Sequence, residues 1–218
     1  MSLNWIDVRE FSFLSCTMLE RFQIRMLCGN KKKEFTECLG IALKANPAVK
    51  WYFQHKCPES ADYVETITRG APEACACEAR EAEVAVMDGI EDFIIYCYPE
   101  LMDSRCDFIY AWDKSRLFEL ADFTGRVVLD VGSGSGRLAF AAVQRAEFVY
   151  ASEPVDSLRE YLRDKIARLG IKNMRICDGM AHALPFPGDT FDIVMSGHVV
   201  GDNPEEEIAE LTRVAKNG

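Results

Sequence analysis

A loop with glycine at every second position most constrains how this chain can fold. The sequence VLDVGSGSGRLAF, residues 128–140, places Gly132, Gly134 and Gly136 after an apolar run that ends in Asp130. The residues after the loop have a helical pattern. A strand, a glycine loop and a helix in succession bring backbone N–H groups close to a nucleotide-like ligand, because glycine has no side chain to block the approach. We therefore expect such a ligand at this loop.

The sequence after Thr124 alternates between strand and helix patterns. Apolar runs predict four strands, at 126–131, 147–152, 173–177 and 191–196. The stretches between and after them predict helices at 136–145, 155–169 and 204–216. Continuous apolar strands separated by helices are typical of a parallel sheet covered on both faces. Residues 124–218 are therefore predicted to form a doubly wound, mainly parallel α/β domain, with its ligand at the carboxyl ends of the strands.

Residues 1–123 show helical spacing without strand-like alternation of any length. One amphipathic helix is predicted from five apolar residues, namely Phe11, Leu14, Met18, Phe22 and Met26. A second helix should end by Asn46 and a third should begin at Pro47, because proline opens a helix well and disfavours helix in the residue before it. A long helix from Pro72 to about Tyr98 and a short one at 113–122 complete an all-helical N-terminal domain.

The loop spacing excludes two common nucleotide ligands. A dinucleotide fingerprint requires G-x-G-x-x-G, but Arg137 stands where its third glycine would be. A phosphate-binding P-loop requires Gly-Lys-Ser/Thr, which this loop lacks. Asp130 would repel a pyrophosphate and attract a cation, and Glu153, after the strand FVYAS, could accept hydrogen bonds from both hydroxyls of a ribose. The expected ligand carries a ribose and a positive charge, without phosphates.

These residues resemble the class I S-adenosylmethionine-dependent methyltransferases. LDVGSGSG is similar to the first motif of that family, and YASEP is similar to its second-strand acid. ALPFPGDTFDIV and EEEIAELTRVAKNG resemble the approach to the fourth strand and the following helix in the type 11 branch, which methylates small molecules. The resemblance covers residues 124–218. It implies a Rossmann-like fold. Residues 1–123 carry no assignable motif, and we expect them to form a lid or substrate-binding domain.

The resemblance also implies a cofactor site for S-adenosylmethionine and its product S-adenosylhomocysteine. The three loop glycines would let the backbone approach the methionine and ribose portions. Asp130 would orient the loop and the ammonium end, and Glu153 would bind the ribose. The residues expected at the cofactor are Asp130, Gly132, Ser133, Gly134, Gly136, Glu153, Pro154, Asp178, Gly179, Met180, Ala181 and Ser196.

The residue that recognises adenine is left open between two arrangements. An ungapped match places Met180 at the family position of the adenine acid, with Asp178 two residues earlier. Either Asp178 reaches the adenine amino group through a shifted turn, or Met180 and Ala181 pack on the ring and backbone groups read it. Asp192 is expected to position the turn before its strand.

Methyl transfer from a sulfonium requires positioning and exclusion of water more than acid–base catalysis. The fourth strand ends in MSGHVVGD, so Ser196, Gly197 and His198 should face the transferred methyl group. His198 is the candidate general base, with shaping of the pocket as its alternative role. Family members that methylate base or glutamine nitrogens carry an Asn-Pro-Pro-Tyr type of sequence at this strand end. Its absence here disfavours nucleic acid as the substrate.

Charge and hydropathy bear on the partners. The formal net charge of −10 and the isoelectric point near 4.9 argue against binding nucleic acid. No apolar run is long enough to span a bilayer, and we expect a cytoplasmic protein that acts on a small molecule.

The nine cysteines are spread along the chain and lack the spacing of zinc sites. We interpret most of them as reduced, buried apolar side chains and expect no metal.

The class has seven strands, whereas this sequence stops after the helix that follows the fourth. The expectation is a truncated chain, with a homo-oligomer partner or the N-terminal helices covering the open sheet edge as alternatives. Two other functions remain: a cofactor-binding protein without catalysis, and a methyltransferase whose acceptor is a thiol or a metalloid.

Overall fold

A computed structural model describes residues 5–106, 109, 111–201 and 203–217, and the chain divides into two compact units after Tyr98. The sequence, in contrast, changes from a purely helical pattern to alternating strands and helices at Thr124. Residues 99–123 therefore belong to the same compact unit as the sheet, although their sequence pattern is helical. The lid or substrate-binding role of the N-terminal region stays a prediction.

The N-terminal unit is helical, as predicted. Its α-helices are Arg21–Gly29, Lys33–Ala45, Pro47–Lys56, Ala61–Gly70, Ala76–Asp88 and Glu91–Tyr96. Short 3-10 helices occupy Val8–Glu10, Phe13–Met18 and Pro58–Ser60. One hydrophobic core joins these elements, and Leu39, Leu43, Phe53 and Val64 are fully buried in it.

The single amphipathic helix predicted from Phe11 to Met26 is wrong. The chain forms a 3-10 helix, leaves it at Leu19, and starts a new α-helix at Arg21. The backbone of Glu20 is extended, and its carboxylate and the Gln23 side chain form a capping box that begins the new helix. The capping interaction prevails over the helical spacing, and Leu14 is left 52% exposed.

The long helix predicted from Pro72 to Tyr98 is also wrong in extent. It is two helices, Ala76–Asp88 and Glu91–Tyr96, separated at Gly89 and Ile90. A Cβ at Gly89 would lie 2.9 Å from a ring atom of Phe35, so the chain passes too close to that ring for a larger residue. Helix Ala61–Gly70 was not predicted at all.

The C-terminal unit contains the predicted parallel sheet. Its strands are β1 (Val127–Val131), β2 (Phe148–Ser152), β3 (Met174–Cys177) and β4 (Ile193–Ser196), in the order β3-β2-β1-β4 with all pairings parallel. The accompanying helices are Pro99–Arg105, Ser115–Leu120, Arg137–Ala142, Asp156–Leu169 and Pro204–Val214. The Rossmann-like fold class and its four strands are confirmed.

β1 is an interior strand of the sheet, and its side chains pack on both faces. Val128 packs in a cluster with the helix Arg137–Ala142, and Leu129 packs in a second cluster with Phe191 and Val214. The side chains of Val128, Leu129, Phe191 and Val214 are fully buried, as expected for a parallel sheet that is covered on both faces. This arrangement brings the carboxyl ends of β1 and β2 together, where the glycine loop begins.

Five of the cysteines are buried, and Cys16, Cys28, Cys57 and Cys97 lie in the N-terminal core. Burial raises the pKa of the Cys28 thiol to about 11 and that of Cys97 to about 12, so these thiols remain protonated and unreactive at neutral pH. Among the described residues, no helix combines the length and the apolar composition needed to cross a membrane.

Candidate functional site

The glycine loop wraps around the end of β2. All three predicted glycines have positive φ angles, +64° at Gly132, +55° at Gly134 and +93° at Gly136, which is backbone that L-residues rarely adopt. The N–H groups of Gly132 and Ser133 donate to the carbonyl of Ser152 at 2.8 and 3.1 Å. The alternation of glycines thus has a conformational reason, and it fixes the loop against the neighbouring strand.

Asp130 lies beneath this loop, with 1% of its surface exposed. Its Oδ2 accepts the backbone N–H of Ala139 at 3.1 Å, within the first turn of helix Arg137–Ala142. Burial raises the pKa of Asp130 to about 7, and the nearby Glu153 carboxylate adds to that rise. Asp130 therefore links β1 to the first turn of the helix, and its role in orienting the loop and the ammonium end of the ligand stays a prediction.

Glu153 is held by the protein through both of its oxygens. Oε2 accepts the N–H of Gly134 at 2.8 Å, and Oε1 accepts the N–H of Val155 at 2.9 Å. Burial raises its pKa, whereas these two hydrogen bonds act in the opposite direction. Glu153 thus has two hydrogen-bond partners within the protein, although the sequence predicted only a ribose ligand for it. Each oxygen keeps a second lone pair, so the two ribose hydroxyls expected here can still bind.

Arg159 connects the residues after β3 to the carboxyl ends of β1 and β2. Its guanidinium donates to the carbonyl of Glu153 at 2.9 Å, to Asp178 at 3.2 Å and to Asp156 at 2.8 Å. Asp178 itself is largely exposed, and its carboxylate is paired with Arg159. Arg159 therefore connects the backbone of Glu153, the acid predicted at the ribose, to Asp178, which is one of the two candidates for adenine recognition.

Gly179 continues this connection between the ends of β2 and β3. Ser152 Oγ donates to the Gly179 carbonyl at 3.1 Å, and a Cβ at Gly179 would lie 2.5 Å from that hydroxyl. Met180 and Ala181 follow directly, and Met180 forms an isolated bridge with Ala183. Pro154 follows Glu153 at the same edge. The structure thus brings Pro154 and residues 178–181 to the same edge as the glycine loop.

The segment after β4 lies against the glycine loop. Ser196 ends β4 opposite Val131 in the sheet register, and a Val199 methyl group occupies the space where a Cβ of Gly132 would be. His198, between them, has a φ of +63°, which is strained for a residue with a side chain. His198 therefore lies near the loop, and its role as a base stays a prediction.

Sequence reasoning missed Arg159 and Ser152. Arg159 stands three residues after Asp156 in the predicted helix, a spacing that signals a pair within the helix. Its bonds to Glu153 and Asp178 depend on how β2 and β3 align, which the spacing does not show. Ser152 had no signal of its own, because its carbonyl and hydroxyl bond to backbone groups of the glycine loop and of Gly179.

The arrangement suits a ligand that carries both hydroxyl groups and a positive charge. Asp130 and Glu153 are two buried carboxylates near each other, and a nearby cation would favour the charged form of both. The glycine backbone can approach such a ligand closely. A parallel sheet with this loop at the end of β1 and an acid at the end of β2 is the arrangement that the resemblance to the class I methyltransferases predicts.

Comparison with known proteins agrees with this class. A family described as "Methyltransferase domain" matches residues 128–218. A curated "Ubiquinone/menaquinone biosynthesis C-methyltransferase" of Marinomonas sp. is 31% identical over 113 residues, which are 49% of this chain and 45% of that protein. An uncharacterized methyltransferase of Anoxybacillus flavithermus is 28% identical over 99 residues, 44% of each chain. This chain spans about half the length of the curated relatives it matches.

Among solved structures, a SAM-dependent methyltransferase from Aquifex aeolicus is 25% identical, with a TM-score of 0.50. The match covers 56% of this chain and 67% of that protein. Residues 128–218 thus match the methyltransferase-domain family, and the SAM-dependent methyltransferase from Aquifex aeolicus shares their fold. The predicted class and cofactor are confirmed at this level.

Proposed function

We propose that this protein binds S-adenosylmethionine at the glycine loop and transfers its methyl group to a small organic acceptor. The observation that carries the proposal is the bond from Gly134 N–H to Glu153 at 2.8 Å, which joins the loop to the second-strand acid. That contact supports Glu153 as the ribose acceptor, because it lies beside backbone that a ligand can approach. The buried carboxyl of Asp130 beneath the same loop also supports the binding of a positively charged ligand.

The proposed role of each residue follows from its position. When bound, S-adenosylmethionine supplies a methyl group activated by a positively charged sulfur. Glu153 holds the ribose hydroxyls, the glycine loop lies along the methionine portion, and Asp178 or Met180 lies towards the adenine. Ser196 and His198 face the acceptor, and His198 accepts a proton where the attacking atom carries one. Positioning and exclusion of water supply most of the rate enhancement.

The small-molecule acceptor is supported by the acidic net charge and by the relatives. One relative is named for C-methylation in ubiquinone and menaquinone biosynthesis, and another is a "Demethylmenaquinone methyltransferase" from Lactococcus lactis that is 28% identical over 112 residues. Electron-rich aromatic carbon is therefore the first acceptor class to test.

Calorimetry with S-adenosylhomocysteine, S-adenosylmethionine and NAD tests the cofactor part of the proposal. We expect both adenosyl compounds to bind and NAD to give no signal, because the loop lacks the dinucleotide spacing. NAD binding without adenosyl binding would overturn the proposal. Incubation with S-adenosylmethionine and reduced quinones, followed by measurement of S-adenosylhomocysteine, then tests turnover. Binding without turnover across phenol, amine and thiol acceptors would identify a cofactor-binding protein instead.

A further inference from the structure

Lys165 joins two parts of the C-terminal unit that lie far apart in sequence. Its Nζ donates to Asp103 Oδ2 at 2.7 Å and to the carbonyl of Ser135 at 3.1 Å. Asp103 belongs to helix Pro99–Arg105, and Ser135 lies in the loop between Gly134 and Gly136. One ammonium group therefore links this helix to the outer side of the glycine loop.

The ammonium group is held in a defined place. It lies 4.9 Å from the ring centroid of Phe140 and 5.1 Å from that of Tyr161, and Tyr161 also donates its hydroxyl to Asp103 at 2.6 Å. The side chains of Lys165 and Asp103 are 21% and 24% exposed. Charge-assisted hydrogen bonds between partly buried groups are strong and poorly screened by salt. This link should therefore persist in solution.

Two buried polar atoms beside this link lack partners in the described part of the chain. Ser135 Oγ and Asp103 Oδ1 are buried and have no hydrogen-bond partner among the described residues. Buried polar atoms without partners oppose the observed arrangement, because burial removes their bonds to water. The Lys165 bonds to Asp103 and to the Ser135 carbonyl offset that cost, and they hold the loop where Gly134 meets Glu153.

We propose that Lys165 is a positioning residue that sets the place of the glycine loop, with Asp103 as its anchor. The assignment rests on the proposed function, since the loop is where the adenosyl ligand is proposed to bind. Lys165 contacts the outer side of the loop and acts through Ser135. Loss of the link should free the loop without removing any group proposed to contact the ligand.

Hydrogen exchange in the protein without ligand gives the first test. We expect Lys165→Gln to increase hydrogen exchange of the Gly134 and Gly136 amides by about tenfold or more. The hydrogen bonds that these two N–H groups donate both depend on the position of Ser135. Tyr161→Phe keeps the link from Lys165 to Ser135, and Lys172→Gln makes the same charge change at an exposed site. Both controls should leave these amides unchanged. Equal exchange in Lys165→Gln and wild type would overturn the proposal.

Ligand affinity gives the second test and separates positioning from general instability. S-adenosylhomocysteine has an amino-acid part that would lie along the loop, whereas adenosine retains only the nucleoside contacts. Lys165→Gln should weaken S-adenosylhomocysteine binding by about tenfold and adenosine binding by much less. An equal loss for both compounds would make Lys165 a general structural residue. Failure of the wild type to bind either compound would refute the proposed function, while the exchange experiment would still decide the role of Lys165.

Discussion

Replacement of Asp130 by asparagine isolates the cost of burying a carboxyl group beneath the glycine loop. An asparagine oxygen can still accept the N–H of Ala139, so the shape of the site and this hydrogen bond are retained. Asparagine cannot ionise, so the titration of the group is lost. The wild-type carboxyl has its pKa raised by burial from 3.8 to about 7.

The sign of the effect follows from proton binding. Because the folded state holds this proton more tightly than the unfolded state, Asp130 makes the protein less stable as pH rises from about 4 to about 7. A rise from 3.8 to about 7 corresponds to about 4 kcal/mol, at roughly 1.4 kcal/mol for each pKa unit. Below pH 4 the carboxyl is protonated in both states, so this contribution disappears there.

Urea unfolding of wild type and Asp130→Asn at pH 4, 5.5 and 7.5 measures the effect. The variant should gain stability relative to wild type as pH rises, and the difference should reach about 4 kcal/mol at the highest pH. Asp164→Asn, the same change on an exposed helical position, controls for the loss of one negative charge. A difference between wild type and Asp130→Asn that stays constant with pH would refute the reasoning.

Two further predictions concern the loop and its acid. Glu153→Gln should lower the free energy of unfolding by about 1–3 kcal/mol, because an amide can accept only one of the two N–H groups that Glu153 holds. Thermal unfolding measures this loss of stability, and Glu160→Gln, at an exposed position, should cause none. Equal melting temperatures for the two variants would contradict the prediction for Glu153. Gly136→Ala should cost about 2–4 kcal/mol in urea unfolding, because its Cβ would overlap Phe140 and Leu162. Gly170→Ala, also at positive φ but in open space, should cost about 1 kcal/mol, and equal costs would show that the overlap is unimportant.

The sheet could be predicted from the sequence because its strands are short apolar runs with few competing patterns. Each of β1 to β4 falls within its predicted range, and the glycine loop and Glu153 lie at the expected edge. Local chemistry is sufficient for these features, since a buried parallel strand and a loop with positive φ each require particular residues.

The N-terminal helices were harder to predict because helical spacing does not show where a helix is interrupted. The capping box at Glu20 and the close approach of Phe35 to Gly89 both divide stretches whose apolar spacing is continuous. At the site, the same limit applies to long-range bonds. The reach of Arg159 to Asp178 and of Lys165 to Ser135 depends on tertiary packing, so neither could be derived from spacing along the chain.

The contact between Val199 and Gly132 has a consequence for the speed of binding. A ligand that approaches Gly132 from the side of its missing Cβ meets the Val199 methyl group first. We therefore expect association to include a step in which the segment after β4 swings aside. At high ligand concentration, the observed association rate would then be limited by how often that segment opens, and no longer by how often ligand and protein collide.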